Sequence, residues 1–204
     1  MRSRILINLD KRYWYLRCKY LPKNFSKTGT YSNEQYTDAI AFRVLFHAEL
    51  ETYLEAVALS ILSQIISLSN KEKYCRASSA LMTIFKTEKM HGFPTQKDEF
   101  KDKSFFKRTL DACAAEMRRR VENNKGVRAP NLLAMFLPIG LDETELDEQL
   151  LIDLSTFGSQ RGDVAHKALS AIVNLPDPKE EKILAERIIL ALSDFEKCVS
   201  KALS

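Results

Sequence analysis

From Ser32 onward the chain alternates apolar and polar positions with the repeat of a helix. Phe42, Phe46, Leu50, Tyr53, Val57, Ile61, Ile65 and Leu68 recur at spacings of three and four, forming one apolar stripe. Ser32 and Gln35 have the spacing of a capping box, which predicts a single long helix ending near Ser69. KEKYCRASSALMTIFKTEK predicts a second helix, stopped at His91-Gly92-Phe93-Pro94, and TQKDEFKDK reads as a charged loop. A third helix is expected from about Ser104 to Asn123, ending in MRRRVENNKG with Gly126 as its stop. Pro130 to Gly140 is apolar and irregular, with room for a short helical turn. Asp142 is expected to cap ETELDEQLLIDLSTF, with Glu145 at the third helical position. In VNLPDPKEE, Asp177 as cap, Pro178 at the first position and Glu180 at the third predict a closing helix. Its stripe is Ile183, Leu184, Ile188, Leu192, Phe195 and Val199. No strand pattern competes after residue 33. The expected fold is all-α: an antiparallel helical bundle over residues 34–204, preceded by an N-terminal extension over residues 1–33.

Composition agrees. Six Gly and six Pro in 204 residues are too few for the turns of an all-β fold, and 45% hydrophobic residues suffice for a core. No apolar run approaches the roughly 18 residues of a membrane span, and the first residues lack a secretory signal, so no membrane and a cytoplasmic location are expected.

Charge is uneven. Residues 1–33 hold eight Lys/Arg against one acid, a net +7, while the other 23 cations and 26 acids leave the remainder at −3. A basic arm on a mildly acidic body points to a polyanion, nucleic acid first, or simply to a solubilising terminus. Within the arm, RYWYLRCKY interleaves four aromatics with cations. Arg12, Trp14, Arg17 and Lys19 are therefore candidates for stacking bases and pairing phosphates. The alternative is an amphipathic strand or helix that docks its rings on the core.

Four cysteines without a CxxC are read as buried reduced thiols, and three histidines nearly exclude a histidine metal site, so neither metal nor cofactor is expected. Chemistry concentrates instead in FGSQRGDVAHKA, where Arg161 and His166 are five positions apart. A guanidinium holds phosphate bidentately, and an imidazole moves a proton near neutral pH. On an ideal helix five residues leave side chains roughly 140° apart. Convergence then requires Arg161 at a helix entrance or on a distortion, which Gly158 and Gly162 permit. Asp163, three before His166, is placed to orient the imidazole. One histidine cannot easily serve both sides of a phosphorus; two copies in a symmetric dimer can.

RG-x-x-AH in the setting FGSQRGDVAH, together with AFRVLFHAELETYLEAVA on the long helix, resembles the HEPN superfamily, nearest its RiboL-PSP type. The resemblance implies a metal-independent endoribonuclease acting in toxin–antitoxin or phage-defence systems. It also implies a composite cleft at a homodimer interface and products with 2′,3′-cyclic phosphate and 5′-hydroxyl ends. RNA, a second copy and an antitoxin or defence-system protein are the implied partners. Arg161 and His166 match the family motif. Many members have a polar residue directly after the arginine, where this chain has Gly162, with Asp163 one place later. Other members bind RNA or proteins without cutting, and a purely structural interaction protein is the third possibility.

Secondary candidates follow. His47 and Glu51, four apart, either support the cleft or form a helix-surface ion pair. Arg43 lies near the stripe's centre, where a cation needs a partner. Arg118, Arg119 and Arg120, with Lys125 and Arg128, either contact RNA phosphates or answer the helix dipole. His91 is a helix-end residue.

Overall fold

A computed structural model describes residues 2–86, 105–165 and 175–204, with the backbone alone at 160–165. The described residues contain helices and no strand, so the fold is all-α as the periodicity predicts. The helices are α1 (Arg4–Tyr20), α2 (Asn33–Ser69), α3 (Arg76–Lys86), α4 (Phe105–Glu122), α5 (Ala129–Phe136), α6 (Glu148–Ala165) and α7 (Pro178–Lys201). The chain forms two compact units. One comprises Met1–Leu54, Lys125–Leu132 and Leu146–Glu196; the other comprises Glu55–Asn124, Leu133–Glu145 and Lys197–Ser204.

In the first unit, α1 starts on Ser3, whose hydroxyl accepts from the Leu6 amide at 3.0 Å. The Ser3 amide and hydroxyl both donate to the Glu196 carboxylate of α7, at 3.2 and 2.5 Å. Leu6, Leu9, Tyr13 and Leu16 make the buried stripe of α1. Tyr13 meets Phe42 and Phe46 edge-on, and its hydroxyl donates to Glu186 at 2.9 Å. Burial and the Glu186 carboxylate together push that hydroxyl far above the ordinary tyrosine range. The capping box of α2 is as expected: Gln35 donates its amide to Ser32 Oγ, and Ser32 donates its amide to Gln35 Oε1. The cap of α7 also holds, with Asp177 accepting the Lys179 and Glu180 amides at 2.7 and 3.2 Å.

Arg43 finds its partner in Glu181 of α7. The guanidinium contacts both carboxylate oxygens, Nε to Oε2 at 3.0 Å, and both residues are buried. Asp153 of α6, an acid in an apolar run, accepts two bonds from Arg187 at 2.9 and 2.7 Å.

The second unit packs Leu62, Ile65, Leu81, Leu110, Met117 and Phe136 among its fully buried side chains. Its tightest point is Gly140, at φ +86, following a 3-10 turn over Leu137–Ile139. A Cβ there would stand 2.9 Å from the Ala77 backbone and 3.3 Å from Ala202. Ala77 and Ala202 are themselves joined by an amide-to-carbonyl bond of 2.8 Å.

Several expectations need correction. The irregular stretch around Pro130–Gly140 is a helix, α5, running into the 3-10 turn. Asp142 caps no long helix. It accepts the Thr144 amide and hydroxyl ahead of a short 3-10 turn, and those two donors hold its carboxyl below the usual range. The cap of α6 is Asp147, which accepts the Gln149 amide at 3.0 Å. The second helix starts at Arg76 rather than Lys71, because Ser78 closes on the Cys75 amide and carbonyl. Its expected stop at His91, and the loop after it, lie outside the described residues. Cys75 and Cys113 are buried as expected, but Cys18 is exposed and Cys198 half-buried. One described helix, α2, is long and apolar enough to cross a membrane on length and composition alone. The apolar residues of its stripe from Phe42 to Ile65 are buried inside the protein.

Candidate functional site

The motif helix is fixed one turn ahead of Arg161. Phe157 is fully buried, edge-on to Phe46 at 5.5 Å and stacked on the His47 ring at 6.3 Å with 16° between planes. His47 is 3% exposed, so its imidazole lies beneath α6 and not on a helix surface. Glu51, one turn further along α2, accepts the Gly126 amide at 2.6 Å. The expected His47–Glu51 surface pair thus gives way to two residues that hold different distant segments, α6 and the stretch before α5.

The backbone of α6 stays helical through Ala165, which puts Arg161 inside the helix and not at its entrance. The glycines do not interrupt it within that span. Gly158 serves another purpose: a Cβ there would lie 2.6 Å from Arg128 Cγ, so the missing side chain is the space the Arg128 stem occupies. The side chains of Arg161 and Asp163, and His166 altogether, lie outside the described residues.

The family model of RiboL-PSP-HEPN matches residues 11–204. The chain belongs to that family. No curated protein and no solved structure matches it significantly. The HEPN match begins at Lys11, inside α1, so it includes all of the basic extension after its first ten residues.

On this HEPN chain the extension has two faces. Tyr13 docks, while Trp14 and Tyr15 remain 49% and 52% exposed. The cations lie over the rings: Arg17 over Trp14 at 4.7 Å, Arg12 over Tyr15 at 5.2 Å, and Lys19 over Tyr15 and Tyr20 at 5.8 and 5.2 Å. Arg12 also pairs with Glu49 at 2.8 Å, which neutralises part of its charge. In the second unit, Arg118 is exposed, Arg119 pairs with Glu116 one turn back, and Arg120 covers Phe85 at 4.8 Å. Two of these three arginines therefore have partners of their own. Among the described residues, no group of three or more His, Cys, Asp or Glu is arranged to hold a metal ion.

Sequence reasoning missed the Asp153–Arg187 pair and the Arg128–Gly158 contact. The first was signalled by an acid inside LLIDLSTF, the same kind of signal that singled out Arg43.

Proposed function

We propose that this HEPN protein is a metal-independent endoribonuclease. The supporting observation is the RGDVAH sequence, whose first five residues lie on α6, a helix anchored one turn before Arg161 by Phe157 on Phe46 and His47, in a chain of this family. Arg161 clamps the scissile phosphate and offsets charge as it builds, His166 transfers the proton, and Asp163 orients the imidazole. The RNA 2′-oxygen forms a bond to phosphorus and loses its proton to a base. The phosphorus–5′-oxygen bond breaks and the leaving oxygen gains a proton, giving 2′,3′-cyclic phosphate and 5′-hydroxyl ends. Two His166 side chains from a homodimer supply base and acid on opposite sides. The exposed face of α1, with Arg12, Trp14, Arg17 and Lys19, and the Arg118–Arg120 cluster add affinity for RNA. A cytoplasmic toxin or defence role fits such an activity, with an antitoxin or defence-system protein as restraint.

Expression of wild type and His166→Ala in the same host, followed by cleavage of total RNA in EDTA by the purified proteins, tests this. Wild type arrests growth and cuts RNA; His166→Ala does neither and keeps its far-UV helical signal. Cleavage by a nuclease-free His166→Ala preparation would remove His166 from the chemistry. Salt-dependent binding by wild type without any cutting identifies a non-catalytic RNA-binding subunit, which the cation–aromatic face of α1 also suits.

A further inference from the structure

The segment between α4 and α5 carries two exposed cations, Lys125 and Arg128, and is held on three sides. Gly126 gives its amide to Glu51 of α2 and adopts φ +122, a conformation that resists any side chain. Asn131 donates its side-chain amide to the Lys125 carbonyl at 3.3 Å. The Ala129 amide donates to Ser155 Oγ of α6 at 3.1 Å, and Val127 is fully buried. The Arg128 stem then crosses α6 directly over Gly158.

The group at its end is what separates Arg128 from the other arginines of this unit that are held in place. Arg12, Arg43 and Arg187 each end on a carboxylate, of Glu49, Glu181 and Asp153. Among the described residues Arg128 ends on none. A rotamer-rich side chain seated in a glycine slot, exposed and without an acid, is prepared for an anion from outside the chain. The slot's position names the anion. On a regular helix Gly158 and Arg161 are separated by about 4.5 Å along the axis and about 60° around it, so both positions lie on one side of α6.

We infer that Arg128 contacts a backbone phosphate of RNA next to the scissile one, with Gly158 as the residue that positions it. The inference rests on the ribonuclease reading above for the identity of the ligand. Lys125, on the same fixed segment, adds a more mobile charge.

Full-length wild type, Arg128→Ala, Arg128→Lys, Gly158→Ala and His166→Ala are compared on two probes. One is a labelled random-sequence RNA made uncleavable by 2′-O-methylation, titrated by anisotropy at several salt concentrations. The other is the same pool unmodified, followed for cleavage. Loss of one phosphate contact lowers the slope of log affinity against log salt by about 0.7 for a single strand. Arg128→Ala is expected to show that drop, with Kd up about tenfold and kcat/KM down similarly while kcat holds. Arg128→Lys keeps the slope. Gly158→Ala changes no charge, yet displaces the Arg128 stem and shifts kcat/KM in the same direction. Because Arg128 is exposed, its variants should melt with wild type; the lysine variant serves should the alanine one not fold.

An Arg128→Ala protein with unchanged Kd and slope, in a system where His166→Ala still abolishes cleavage, overturns the inference and leaves the ribonuclease reading standing. Wild type that binds the methylated RNA but cuts nothing removes the catalytic reading, and the slope still decides the Arg128 contact. Wild type that neither binds nor cuts overturns both.

Discussion

Replacing Arg43 with leucine strands the Glu181 carboxylate. The two side chains are 6% and 3% exposed and meet through both arms of the guanidinium, so no water stands ready to take over. Removing one member of such a pair costs about 3–5 kcal/mol, whereas replacing both by apolar residues is near neutral or stabilising. Arg43→Leu should therefore lose about 4 kcal/mol, and Arg43→Leu/Glu181→Leu at most about 1 kcal/mol, so removing the stranded acid recovers about 3 kcal/mol. For a chain of this size that deficit lowers Tm by about 8–16 °C. Acid provides a second check. Burial raises the Glu181 carboxyl above its ordinary value, and Arg43 pulls it back; without Arg43 it rises further. A carboxyl raised in the folded state binds its proton more readily there than in the unfolded chain. The stability it confers is present at low pH and lost as pH climbs from the ordinary carboxylate range through the folded value. Urea unfolding of the single variant, followed by circular dichroism at pH 7 and near pH 4.5, should thus show the deficit shrinking in acid. A loss under about 1 kcal/mol at pH 7, or a deficit indifferent to pH, refutes the view that this pair is an interdependent buried unit.

Gly140→Ala combines a left-handed backbone with a 2.9 Å approach to the Ala77 backbone, and should destabilise by about 2–4 kcal/mol; a thermal melt matching wild type would contradict it. Trp14→Ala removes a half-exposed ring, so stability should stay within about 0.5 kcal/mol while RNA binding weakens by about 1–3 kcal/mol. Unchanged affinity for single-stranded RNA would free that face of α1 from any stacking role.

Local rules made much of the fold legible. Ser32 with Gln35, and Asp177 with Pro178, specify their helix starts by bonds that span three residues at most. Arg43 announced a partner because a cation in an apolar stripe has few alternatives, although the sequence did not name Glu181. Where several residues offer the same local chemistry, the pattern is degenerate. Asp142 and Asp147 both precede acid-rich segments, and both accept an amide two residues on. Only the packing of α6 decides which one starts the long helix. His47 and Glu51 show a different failure. Spacing of four on a helix suggests mutual contact, yet their observed partners, Phe157 and Gly126, lie 110 and 75 positions away. Gly158 is the subtlest case, since a glycine that permits a bend and one that admits a neighbour's side chain are the same letter. The arm was equally ambiguous until α1 separated its docked Tyr13 from its exposed Trp14 and Tyr15.

The bonds from Ser3 to Glu196 and from Tyr13 to Glu186 join residues 193 and 173 positions apart. A ribosome adding about 5–20 residues each second needs about 10–35 s between making Tyr13 and making Glu186. During that interval Ser3 and Tyr13 have no α7 to accept their hydrogen bonds. A message cut short before α7 yields a first helix that can meet Phe42 and Phe46 but lacks its Glu186 and Glu196 partners. For a protein proposed to destroy RNA, this wiring makes synthesis of α7 a condition for assembling the unit that holds the motif helix.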